Sequence, residues 1–147
     1  MDETLDDFAF HFFKIYAKYE YYLKANHYVQ RIGTGKRFNV DWDRFVNQKI
    51  GSEYIALLGE NSDSANYILD NPPSSQVVNT DGVIVWEPVK NNEQNVQILF
   101  GHISRVRNNM FHGGKFNGTW FDPDRNHLLL MHCLVVLEAF KHLAEIE

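Results

Sequence analysis

Apolar side chains recur at steps of three and four residues through three long stretches of this chain, and that spacing restricts the fold more than any other feature. Leu5, Phe8, Phe12, Ile15, Tyr16, Tyr19 and Leu23 line one side of a helix predicted over residues 4–25. Val96, Leu99, Ile103, Val106 and Met110 repeat the pattern, predicting a second helix from about Asn92 to about Phe111. The third runs from Pro123 towards the C-terminus, with Asp122 placed as its N-cap and the proline at the first helical position. Its apolar residues, Leu128 to Met131, Leu134, Val135 and Leu137, cover most of its girth. Such a helix is either central to the core or shared with another subunit.

Shorter elements fill the interval. Asp41 can cap a helix carrying Trp42, Phe45, Val46, Ile50, Tyr54 and Leu57 to about Gly59, with Gly51 its weak point. Asp63 is expected to cap a short helical piece ending at Leu69, because the following "NPP" cannot continue a helix. Residues 26–39, with "GTGKR" inside, read as a loop. "QVVNTDGVIVW" sets two β-branched runs either side of Asp81-Gly82, the signature of a hairpin that must lean on the helices or on a partner. The expected architecture is all-α: a helical bundle of four main helices, plus a short fifth, with a small β-hairpin insertion, in a single domain spanning 1–147.

Hydrophobic residues at 44% and charged residues at 22% exclude the disordered and fibrous classes. The 11 Phe and 7 Tyr predict large flat cores or an aromatic subunit interface. A single cysteine, Cys133, excludes an intramolecular disulfide and a Cys-based zinc cluster, and points to a reducing, cytoplasmic setting. The acidic start "MDETLDDFAF" does not read as a secretory signal, and no apolar run is expected to reach the length of a membrane span. The net charge of −5 argues against sequence-blind wrapping of nucleic acid. Between Glu93 and Asp122, however, there is no acidic residue, while His102, Arg105, Arg107, His112 and Lys115 all fall there.

Within that cationic window, "RVRNNMFHGGK" holds an anomaly. At about 100° per residue, Arg107 falls inside the apolar stripe of Val96, Leu99, Ile103, Val106 and Met110, while Arg105 points nearly the other way. A guanidinium on an apolar face needs an anion, a hydrogen-bond partner or a wet cleft, because burying it alone costs several kcal/mol. His112 would lie about 140° from Arg107 on an undistorted helix. Gly113 and Gly114 can supply the left-handed backbone that ends the helix and returns the imidazole towards the guanidinium; pairing with a symmetry mate is the other route. The bland alternative is a snorkelling arginine and a histidine at a helix C-terminus.

"RNNMFH", Arg107 to His112, resembles the Arg, four to six residues, His signature of the HEPN superfamily (higher eukaryotes and prokaryotes nucleotide-binding domain), with polar Asn108 after the arginine. The sequel "HGGK" and the motif's place at the end of the penultimate long helix are also similar; the hairpin near residues 76–86 departs from that family's minimal pattern. The resemblance implies a homodimeric helical bundle and, in many members, a metal-independent endoribonuclease without cofactor, found in toxin–antitoxin and phage-defence systems. Some such toxins are silenced by an antitoxin of nucleotidyltransferase type; other members are non-catalytic nucleotide-binding, RNA-binding or protein-interaction modules. By motif position, Arg107 and His112 are the candidate catalytic residues and Asn108 supports them. Arg105 and Lys115 are the candidate RNA contacts.

The residue types suit the chemistry. Metal-free RNA cleavage deprotonates a ribose 2′-OH, stabilises the phosphorane's charge and protonates the leaving 5′ oxygen. An imidazole serves as base or acid near neutrality, and a forked guanidinium matches two phosphate oxygens. The products would be a 2′,3′-cyclic phosphate and a 5′-OH.

Other signals are weaker. "GTGKR" lacks the spacing of a phosphate loop and reads as a basic surface loop. His127 and His132 are five apart, whereas a helical metal pair prefers three or four, so no metal is expected. Glu20, near the edge of the first apolar face, is a possible partner for Arg107, with an exposed charge as the alternative. Phe8, Phe12, Tyr16 and Tyr19 sit at buried spacing and read as core rather than as a base-stacking platform.

Overall fold

The computed structural model describes residues 4–89, 93–111 and 123–146. They form a mostly helical protein with two small antiparallel strand pairs.

Helix α1 (Leu5–Ala25) starts with a capping box: the Thr4 side chain accepts from the Asp7 backbone N–H, and the Asp7 carboxylate accepts from Thr4 N–H at 3.1 Å. Its predicted apolar stripe is the buried one, with Phe12 and Tyr19 fully enclosed. Residues 26–39 are not simply a loop. They contain strands β1 (Val29–Arg31) and β2 (Phe38–Val40), paired Val29 to Val40. Phe38-Asn39-Val40 does alternate apolar and polar residues, but each strand is only three residues long, too short a run to announce a strand. "GTGKR" is the exposed turn between them.

The helix expected over 41–59 is broken in two. Asp41 caps α2 (Trp42–Lys49), accepting from Arg44 N–H at 3.2 Å. Gly51 adopts φ +79° and its N–H meets the Val46 carbonyl at 2.7 Å, ending the helix there. Helix α3 (Tyr54–Leu58) follows, then a 3₁₀ turn and α4 (Ser62–Asp70). The cap of α4 is Asn61, without a side-chain hydrogen bond, and not Asp63, which lies in the first turn where the helix dipole favours an acid.

The hairpin is present as β3 (Ser75–Val78) and β4 (Ile84–Glu87), with Ser75 opposite Glu87. Asn79 organises the turn, its side-chain oxygen accepting from Asp81 and Val83 N–H at 2.9 and 3.0 Å, and Gly82 takes φ +78°. Helix α5 (Val96–Phe111) begins where the Asn95 side chain accepts from Ile98 N–H at 2.8 Å. Helix α6 (Pro123–Phe140) starts at the predicted proline; its expected cap, Asp122, lies outside the described residues. It does not continue to the C-terminus. A 3₁₀ turn follows, Glu145 adopts φ +64°, and Ile146 folds back into the core.

The expectation about membrane spans also needs correcting. Residues Asp124–Ala144 form one stretch long and apolar enough to cross a membrane, with a mean hydropathy of 1.4 in its most apolar window. In this fold Leu129, Leu130, Cys133, Val136, Leu137 and Phe140 turn that stretch's buried face into the core, while Leu128 is exposed.

Aromatic rings tie the main helices together. Trp42 stacks 5.9 Å from Tyr19 and 6.0 Å from Phe100, and Phe100 lies 6.1 Å from Phe140, joining α1, α2, α5 and α6. Each large side chain enclosed in this way contributes about 1.5–3 kcal/mol relative to exposure.

Candidate functional site

Helix α5 packs beside α1 near the α5 C-terminus, and there Arg107 meets two α1 residues one turn apart. Its guanidinium carbon lies 5.8 Å from the centre of the Tyr16 ring, and Nη2 is 4.0 Å from Glu20 Oε1. Nη1 donates to Asn108 Oδ1 at 3.0 Å. Arg107 and Glu20 are 30% and 29% exposed, so both side chains are half-buried between the two helices and partly open to water. Glu20 therefore faces Arg107 and is not merely an exposed charge.

Tyr16 is held from the same helix, its hydroxyl 3.0 Å from Ser104 Oγ. Burial raises its pKa above the ordinary phenol value; the Ser104 hydrogen bond opposes this, Glu20 adds to it and Arg107 opposes it. His112, Gly113, Gly114 and Lys115 lie outside the described residues, and with them the separation between His112 and Arg107.

Arg105 faces away from α1, as its position on the helix predicts, and its Nη1 donates to Ser75 Oγ at the root of the hairpin. Asn109, one turn on, donates to the Ser74 carbonyl at 2.8 Å, and Arg125 of α6 donates to the Pro72 carbonyl at 2.7 Å. Pro72 is thus pinned to α6, and the two serines that follow "NPP" are pinned to α5. His102, one turn before Arg105, is only 3% exposed. Desolvation, and then the Arg105 charge, lower its pKa. Among the described residues, His102 Nε2 and Arg105 Nε have no hydrogen-bond partner.

His127 and His132 of α6 serve packing. His127 stacks 4.7 Å from Phe8, and His132 lies 4.3 Å from the Tyr67 ring with Nδ1 2.8 Å from Ser64 Oγ. Burial lowers the His132 pKa and pushes the enclosed Cys133 thiol up. Among the described residues, no three His, Cys, Asp or Glu side chains gather where a metal ion could be held.

A second feature was not singled out by sequence reasoning. Between α1, α6 and the terminal 3₁₀ turn runs an open groove of about 430 Å³, lined by His11, Lys14, Lys18 and Lys141 over Ile15 and Leu134. Glu138 also lines it, paired with Lys141 at 3.0 Å. The available signal was the step of four between Lys14 and Lys18, which puts both on the polar side of α1.

No family model matches this chain, and comparison with curated proteins and with solved structures likewise returns no match.

Proposed function

We propose that the protein is a metal-independent endoribonuclease of HEPN type, acting as a homodimer on RNA, with Arg107 and His112 as its catalytic pair. The observation that carries the reading is the placement of Arg107: a guanidinium on an apolar stripe, partly open to solvent and 5.8 Å from the Tyr16 ring, five residues before a histidine. In this mechanism Arg107 holds the scissile phosphate and favours the charge that develops on it. His112 takes the 2′-OH proton or supplies one to the leaving 5′ oxygen. Asn108, already bonded to Arg107 Nη1, steadies the guanidinium's fork. A defence or toxin role, a silencing partner of nucleotidyltransferase type and a cytoplasmic setting belong to the same proposal.

The experiment is cleavage of a mixed-sequence RNA in EDTA. Wild type should leave 2′,3′-cyclic phosphate ends, with His112→Ala and Arg107→Ala each slower by about 10²–10⁴-fold. Equal cleavage by all three proteins would sink the assignment.

A second reading has its own observation. Glu20 stands 4.0 Å from Arg107, as it would if the arginine served to tie α5 to α1 in a helical scaffold or a non-catalytic binding module. Absence of cleavage, together with a large stability loss in Glu20→Gln, would favour it.

A further inference from the structure

The solvent face of α1 carries a stripe that the fold does not use. Phe10, Lys14, Lys18 and Tyr21 follow one another at steps of four, four and three, so they share one side of the helix over about 16 Å. Phe10 is 65% exposed and Tyr21 68%, far more than the packed aromatics of the same helix, and both lysines are exposed. The lysines open directly into the groove completed by Lys141, with Ile15 and Leu134 beneath. Glu138 is bound to Lys141, and Asp7 accepts from the Thr4 backbone and hydroxyl.

Cations between exposed aromatic rings, in a trough with an apolar floor, match a single strand of nucleic acid: phosphates for the ammonium groups and base faces for the rings. An acidic peptide would satisfy the lysines but leave Phe10 and Tyr21 without a role. We propose that this stripe and its groove bind single-stranded RNA through its backbone and stacked bases. The inference rests on the nuclease reading for its choice of RNA, and it gives that reading a surface on which substrate is held. At about 100° per residue, Lys14 and Lys18 each lie about 160° around α1 from Tyr16, so the groove and Arg107 occupy opposite flanks of the helix. The groove can therefore be altered without touching the contacts of Arg107.

The test is fluorescence anisotropy with a labelled 20-nucleotide oligouridylate carrying 2′-O-methyl riboses, which 2′-OH-dependent cleavage cannot cut. Lys14→Gln with Lys18→Gln should weaken binding about tenfold and reduce the slope of log affinity against log salt by roughly 1.4. Phe10→Ala and Tyr21→Ala should each weaken it about fivefold or more. Glu138→Gln, which releases Lys141, should tighten it about twofold, a gain that misfolding cannot mimic. No binding by wild type, or affinity and salt slope unchanged in the lysine pair, overturns the proposal. So does displacement by polyglutamate together with indifference to the aromatic variants, which would assign the groove to an acidic peptide. RNA held through the stripe but never cut in its natural 2′-OH form upholds the groove and removes the nuclease; RNA cut with unchanged affinity in every groove variant does the reverse.

Discussion

Glu20 Oε1 lies 4.0 Å from Arg107 Nη2, the long limit of an ion pair, with both side chains partly open to water. Solvent screens such a pair, and its net contribution to stability is small. Glu20→Gln should therefore shift the folding free energy by less than about 0.5 kcal/mol in urea unfolding. A loss above about 1.5 kcal/mol would mark the pair as a structural tie between α1 and α5.

Two tyrosines in α1 should respond unequally to loss of their hydroxyls. Tyr16→Phe removes a half-buried bond to Ser104 and should cost about 1 kcal/mol, whereas Tyr19→Phe deprives the buried Leu137 carbonyl of its donor and should cost about 1–3 kcal/mol. Burial raises both phenol pKa values. The unfolded chain then ionises first, so wild-type stability should fall as pH rises above about 10, and less steeply in either variant. Denaturant melts across pH 8 to 11 measure this.

His102 and His132 give the opposite limb. Desolvation depresses both pKa values, so the unfolded chain binds protons more readily than the native one. Their contribution is complete above about pH 6.5 and declines as pH falls from there towards the lower native values. A His102→Gln, His132→Gln double variant should show a flatter urea midpoint between pH 7.5 and 5; an unchanged pH profile would remove both residues from the effect.

Two glycines should respond with opposite sign. Gly51 has φ +79°, and a methyl group there would meet only the Asn47 carbonyl at 4.0 Å, so Gly51→Ala should destabilise by about 1–2 kcal/mol through backbone strain alone. Gly101, mid-helix in α5 with nothing within 4 Å, should gain about 0.5–1 kcal/mol as alanine. Thermal melts of the two variants check the pair.

The long helices were legible because burial repeats along them: the predicted stripe of α1 is the buried one, and the Asp81-Gly82 turn marked the hairpin. The β1–β2 pair was not, since strands of three residues are too short for the alternation in Phe38-Asn39-Val40 to stand out from a loop. The end of α6 escaped as well, because Glu145, not glycine, supplies the left-handed residue that turns the chain back. At the site, the position of Arg107 on the apolar face of α5 could be read locally. That Tyr16 and Ser104 share a hydrogen bond could not, because the partners are 88 residues apart and no spacing rule connects them.

Arg105 and Asn109 grip successive residues, Ser75 and Ser74, from one side of α5, while Arg107, between them in sequence, faces Tyr16 and Glu20 on the other. Opposed anchors at one level prevent the rod from rolling about its long axis, so the guanidinium's azimuth is set by the strand root behind it. Any pull on that ribbon becomes a torque, and the arginine is where it would first be felt.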